Sequence, residues 1–341
     1  MKKPKILFSA LVCLAVPFLC GCSTSQLENT DILTTYYADK NSDTITLGGG
    51  VANVRTLSDS MADNPVSLIH AEGSSLSKAE DRLIKSADHP LFFGGIRALI
   101  IGDGFAEEGI GELIESIKDD YKLRSESMFF ITNSEPEKIV THKAINDFTG
   151  GFGAESLLDA LNEEGKIFCS TIADIFEMMS VKKVGLAAAS VDVKNEILSF
   201  DGYGIFDGEK MIETTSGDVS NGINMFLNNK CKFDFYIDEK KYTVKKIKQK
   251  KEAFLNGDDL FFDIGFEFEF ENKTNDEKVK KQIKEELIKY ANASYDEARL
   301  LGCDFLNLYR IYQKKYRYEF ENADYKSQLQ NSSANIYVSL K

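Results

Sequence analysis

The sequence predicts an α+β fold of more than one domain, with mixed helices and largely antiparallel sheets, and not a doubly wound Rossmann fold. Helical and strand patterns alternate irregularly along the chain, which is the mark of that class. Consecutive apolar segments meet at glycine-bearing turns such as Asp207-Gly208, a hairpin signal. In "LFFDIGFEFEFE" (260–271), Phe262, Ile264, Phe266, Phe268 and Phe270 share one face at period two, while Asp263, Gly265, Glu267 and Glu269 share the other. Such a strand has one core face and one wet face.

At the amino terminus, Lys2, Lys3 and Lys5 precede an apolar run from Ile6 to Cys20. The run is shorter than the ~20 residues a membrane span needs, contains Pro17 and stops at Gly21, so it reads as a signal-peptide core. Leu19, Cys20, Gly21 and Cys22 resemble the bacterial lipobox, in which the cysteine is acylated and becomes the first residue. The expected organisation is a lipoprotein signal peptide (1–21), a lipidated tether (22–43), an N-terminal α+β region of two subdomains (44–200) and a C-terminal α+β domain (201–341).

Beyond the tether, "TITLGGGVANV" (44–54) alternates like a strand, its three glycines marking a bulge or a close backbone approach. "PVSLIHAEG" is a strand, and Ser74, Ser75 and Ser77 offer N-caps for a helix running to about Ala87. Then "LFFGGIRALIIG" reads as one buried strand, "FAEEGIGELIESIKDD" as one amphipathic helix and "ESMFFIT" as a strand. Helical patterns follow across Ala154 to Asn162 and Thr171 to Met179. "KVGLAAASVDV" and "ILSFDGYGIFDGEKMIE" form a meander with turns at Gly202 and Gly208, and "TTSGDVSNGINMFLNN" can cap a short helix. "CKFDFYI" and "KYTVKKI" return to alternation. Lys240 to Lys251 holds seven lysines and reads as a solvated edge strand whose charges block sheet-to-sheet association. The longest helix spans about 276–301, with Ile283, Leu287, Tyr290 and Ala291 as its stripe, and "SSANIYVSL" closes the fold.

The formal charge is −13, and removing the leader with its three lysines and no acid takes it to −16. This balance argues against nucleic acid, which requires a clustered basic face. With the leader gone and Cys22 acylated, Cys169, Cys231 and Cys303 remain, widely spaced and without a C-x-x-C pair. His70, His89 and His142 are equally scattered, so neither a zinc site nor a disulfide framework is indicated, and buried free thiols are expected. "IIGDGFAEEG" (100–109) imitates a dinucleotide loop but has Glu107 where the fingerprint wants glycine or alanine, and its acids would repel a pyrophosphate. They suit a helix start instead. The carboxylate pairs Asp119-Asp120, Glu163-Glu164 and Asp258-Asp259 lack calcium-loop spacing. No G-x-S-x-G, H-E-x-x-H or Walker sequence occurs, so no catalytic, cofactor-binding or metal-ligating residue is assigned.

Four landmarks in order resemble one family, the Ger(x)C spore germination lipoproteins, the C subunits of nutrient germinant receptors. They are the lipobox at Cys22; "AEGSSLSKAEDRL" leading into "LFFGGIRALIIGDGFAEEGIGELI"; "LSFDGYGIFDGEKMIETTSGDVSNGINMF"; and "IKEELIKYANASYDEARLLGCDFLNLYRIYQKKY" before a final strand. The resemblance implies a three-domain, non-enzymatic lipoprotein on the outer face of the spore inner membrane, held there through Cys22. It also implies action with an A subunit and a membrane-embedded B subunit, and leaves open whether the chain itself binds a small molecule. The alternative from another class is a lipid-anchored solute-binding protein of an uptake system, which would require a ligand cleft between two lobes.

Overall fold

The computed structural model describes residues 30–52, 66–120, 123–142, 150–181, 184–272 and 274–341. Its strands are β1 (Asp31–Asn41), β2 (Thr44–Ala52), β3 (Val66–Gly73), β4 (Leu91–Phe92), β5 (Ala98–Gly102), β6 (Met128–Thr132), β7 (Ser170–Thr171), β8 (Gly185–Lys194), β9 (Ile197–Asp207), β10 (Lys210–Thr215), β11 (Lys232–Ile237), β12 (Lys240–Asn256), β13 (Asp259–Phe270) and β14 (Ser333–Leu340). Its helices are α1 (Leu76–Ser86), α2 (Asp103–Glu108), α3 (Gly111–Asp120), α4 (Pro136–Thr141), α5 (Gly150–Glu163), α6 (Ile172–Val181), α7 (Gly217–Leu227), α8 (Glu277–Leu301), α9 (Tyr309–Lys315), α10 (Arg317–Asn322) and α11 (Tyr325–Asn331).

The α+β class stands. One large mixed sheet runs β10-β9-β8-β6-β5-β1-β2-β3, and a second of four strands runs β11-β12-β13-β14. The large sheet is parallel along β1, β5, β6 and β8 and antiparallel on both flanks.

The expected tether ends early, because Asp31–Asn41 is a strand inside the large sheet, pairing with β2 on one side and with β4 and β5 on the other. Leu33, Tyr36, Tyr37 and Ala38 are fully buried. A strand covered on both faces loses the period-two alternation that would have announced it. The glycines of β2 do mark a close backbone approach: a Cβ at Gly49 would lie 2.2 Å from the Thr35 carbonyl oxygen, and one at Gly48 would lie 2.5 Å from that of Ile69.

Two further expectations break at glycines. "LFFGGIRALIIG" is not one strand but β4, a 3₁₀ turn at Phe93–Gly95 and β5. Gly95 passes so near β1 that a Cβ there would sit 2.7 Å from the Leu33 carbonyl oxygen. The helix expected over "FAEEGIGELIESIKDD" is two, α2 and α3, parted at Gly109 with φ +130, where Ile110 N–H leaves the helical ladder and donates to the Glu209 carbonyl at 2.8 Å.

The β8-β9-β10 meander forms as expected, turning at Gly208 with φ +63. Gly202 is no turn; it lies within β9 at φ +110, beside the register shift between Ser190 and Val191, with the Thr215 carbonyl filling the place of its missing side chain. Because β9 and β10 belong to the large sheet, a boundary at residue 200 cuts through a strand, and the second sheet begins only at Lys232.

In that second sheet the core face of β13 is as expected, with Phe262, Ile264, Phe266 and Phe268 fully buried. Helix α8 covers it, N-capped by Asp276, whose carboxylate accepts from Lys278 and Val279 N–H, and closed by Gly302 in the left-handed region. Helix α7 crosses α8 at Gly222, where a Cβ would collide with the Tyr290 carbonyl and Ser294 Oγ. The lysine-rich strand β12 is only in part a solvated edge: β11 pairs with it over Lys240–Lys245 and β13 over Val244–Asn256, and Lys246 is buried. The register shift between Lys246 and Lys248 changes which residues face inward, and the alternation around Tyr242, Val244 and Ile247 does not reveal that.

Candidate functional site: a packed junction between the two sheets

Cys22 lies outside the described residues. The Glu163-Glu164 and Asp258-Asp259 pairs are not brought together: Glu163 binds Lys230 at 2.8 Å, Glu164 binds Lys166 at 2.6 Å and Asp258-Asp259 sits at the β12–β13 turn, while Asp119 and Asp120 are the last residues of α3. His89 Nδ1 stands 3.3 Å from Asp31, His70 Nδ1 3.7 Å from Glu137, and His142 caps the end of α4. Among the described residues no group of His, Cys, Asp and Glu is arranged to hold a metal ion. Cys169, Cys231 and Cys303 are buried and unbridged. Burial pushes the first two thiols up to about 12 and raises Cys303 as well, which keeps them protonated and unreactive.

The loop that imitates the dinucleotide fingerprint is surrounded by acids. Asp103 opens α2 at the end of β5, and the fold brings it beside Asp39 of β1 and Asp192 of β8. Burial raises the Asp103 carboxyl above its usual range, and Glu107, Asp192 and Asp39 raise it further. A Cβ on Gly102 would lie 2.0 Å from Asp39 Oδ1, so a carboxylate occupies the space a cradle would need. Asp192, nearly fully buried, accepts from Ser134 Oγ and from Val193 N–H. Sequence alone could not join these acids, because parallel pairing of distant strands assembles them.

Polar side chains bind the two sheets into one unit. Asn224 of α7 donates Nδ2 to the Gly165 and Lys166 carbonyls at 3.0 and 2.9 Å, and Asn228 donates to that of Ile167 at 2.5 Å. On the other side, Gly185 N–H donates to the Asp304 carbonyl at 3.0 Å, and a Cβ at Gly185 would lie 2.2 Å from Cys303 Sγ. Asp304, 1% exposed, organises the turn into α9: its carboxylate accepts from Leu306, Leu308 and Tyr309 N–H and from Tyr325 Oη. Burial raises its carboxyl while those donors oppose the rise. Arg310 meets Glu177 of α6 at 2.5 Å, Tyr309 Oη donates to the same carboxylate, and Lys326 reaches Asp207 at 2.7 Å. The cavity left among Phe168, Glu177, Val184, Leu227, Phe305 and Arg310 holds about 20 Å³. That is room for one water, far below the ~300–1,000 Å³ of small-molecule sites.

Beside this junction, Lys246 Nζ is buried without a hydrogen-bond partner, 5.0 Å from the centroid of the Phe266 ring. Burial pulls its amine down to about 6. Lys251, also pulled down by burial, to about 8, donates to the Phe226 carbonyl at the end of α7 at 2.8 Å, where a cation complements the helix dipole.

These features define a class: a two-sheet α+β protein whose interior is packed and tied by polar contacts. Residues 23–191 match the family described as "Spore germination protein N-terminal domain" and residues 201–341 match "Spore germination B3/ GerAC like, C-terminal". The chain belongs to this GerAC-like spore germination family. Its fold is similar to the structure titled "Crystal Structure of the GerBC protein", with a TM-score of 0.57 and 10% sequence identity over 90% of this chain and 96% of that one. A search of the curated proteins found no match. No helix of the described residues is long and apolar enough to cross a membrane.

Proposed function

We propose that this chain is the lipid-anchored, non-enzymatic C subunit of a nutrient germinant receptor, seated on the outer face of the spore inner membrane beside an A subunit and a membrane-embedded B subunit. The observation that carries the reading is the pair of family domains in order along the chain, the first beginning at residue 23, directly after the lipobox cysteine Cys22. Two acyl chains hold a protein on a bilayer where one holds it only marginally. Tethering raises local concentration, so modest contacts to neighbouring subunits suffice.

The protonated thiols argue against a cysteine nucleophile, and the junction between the sheets, at about 20 Å³, is not a solute cleft. Replacing Cys22→Ala in a strain without paralogous subunits is expected to slow or block nutrient germination while leaving sporulation intact. Unchanged germination with every nutrient contradicts it. A large, saturable thermal stabilisation by amino acids or sugars would move the reading to the solute-binding alternative.

A further inference from the structure

The two sheets end in four edge strands, β10 and β3 on the large sheet and β11 and β14 on the small one. Three carry features that discourage a further partner strand. Strand β10 has Lys210, Glu213 and a register shift between Met211 and Glu213. Strand β3 has His70 and Glu72, and lends the Glu72 carbonyl to Arg82 at 2.7 Å. Strand β11 is six residues long and has Lys232 and Asp234. Strand β14, SANIYVSL, is eight residues long, holds no charge, proline or glycine, and pairs with β13 without a register shift.

The direction of its free groups follows from its last contacts. Lys341 N–H donates to the Phe268 carbonyl and Phe270 N–H donates to the Lys341 carbonyl, so the backbone of Lys341 points toward β13. In a parallel ladder these directions alternate along the strand. The backbone groups of Ala334, Ile336, Val338 and Leu340 therefore point away from the sheet, and among the described residues no strand pairs with them.

We propose that this edge pairs with the β14 edge of a second copy of the chain, antiparallel about a two-fold axis at Tyr337, joining two four-stranded sheets into one. In that register the outward groups meet their like: Ile336 of one copy faces Val338 of the other, and Ala334 faces Leu340. On the open face Tyr337 meets Tyr337 across the axis, an aromatic cross-strand pair, and Asn335 meets Ser339. No like charges are opposed, and Lys341 is already neutralised by Glu267 at 2.7 Å. An uncharged strand suits its own copy in a way the other three edges do not. The inference stands apart from the proposed function, since it needs neither the lipid nor a receptor partner.

The test uses the full chain in detergent micelles. Tyr337→Cys, oxidised with copper phenanthroline, is expected to give a self-crosslinked dimer at several times the yield of the unsubstituted chain and of Tyr236→Cys, although Tyr236 on β11 is 73% exposed and Tyr337 only 38%. A mixture of Asn335→Cys and Ser339→Cys chains, which leaves Tyr337 in place, is expected to crosslink between the two variants. Tyr337→Lys, which sets like charges across the axis, is expected to abolish the concentration-dependent dimer seen by sedimentation, with its circular dichroism unchanged. Yields at position 337 no higher than at 236, no crosslink in the 335/339 mixture, or crosslinking in spore membranes solely to a different protein would each overturn the proposal.

Discussion

Lys246 sets a buried amine against an aromatic core, and its consequence is a pH dependence whose sign is fixed. Its folded pKa of about 6 lies below the 10.5 of a free lysine. Between those values the unfolded chain holds a proton that the folded chain lacks, so this group makes stability rise with pH across that window and flatten below about 6. Lys246→Met removes the burial cost while keeping the volume. It is expected to stabilise the protein by on the order of 2 kcal/mol at pH 7, the advantage shrinking as pH approaches 10.5, as read from urea midpoints at a series of pH values. A variant less stable than the parent at pH 7 contradicts this. Single residues of this kind were the least legible in the sequence. Seven lysines between 240 and 251 looked alike; Lys246 turns inward because it follows buried Val244 by two and pairs with Phe268 on the core face, and the register shift after it then sets Lys251 opposite Ile264.

Legibility at the scale of elements followed burial. Strand β13 and helix α8 each keep one wet face, so their periods survive in the sequence and their limits were nearly right. Strand β1 is covered on both faces and passed for a tether. The glycines of β2 announced a close approach without saying to what; the partners are β3 and β1, the latter the strand that had been missed. Gly49→Ala drives a methyl into the Thr35 carbonyl, where backbone cannot yield cheaply. It is expected to cost about 2 kcal/mol or more in denaturant unfolding, whereas Gly257→Ala, with nothing near its Cβ but a φ of +62, is expected to cost about 1 kcal/mol from backbone strain. Equal costs at the two positions would argue against the β1–β2 packing.

For the whole molecule, the class and the family resemblance were readable because they rest on the order of several segments, and the family domains confirm that order. The junction was not readable. Asn224, Asp304 and Arg310 reach partners far away in the chain, and nothing in their neighbours hints at them. Gly185→Ala wedges a methyl against Cys303 Sγ and the Phe206 carbonyl and is expected to loosen the docking of one sheet on the other, splitting one cooperative melting transition into two. A single unshifted transition would show that the junction does not couple them.

The claim that this chain serves as a germinant receptor subunit is tested most directly by recovering the tagged protein from detergent-solubilised spore membranes and identifying what comes with it. The account predicts recovery from the membrane fraction, acylated at Cys22, together with an A subunit and a permease-like B subunit. Recovery from the aqueous fraction with an unmodified amino terminus, and with neither subunit, would contradict it.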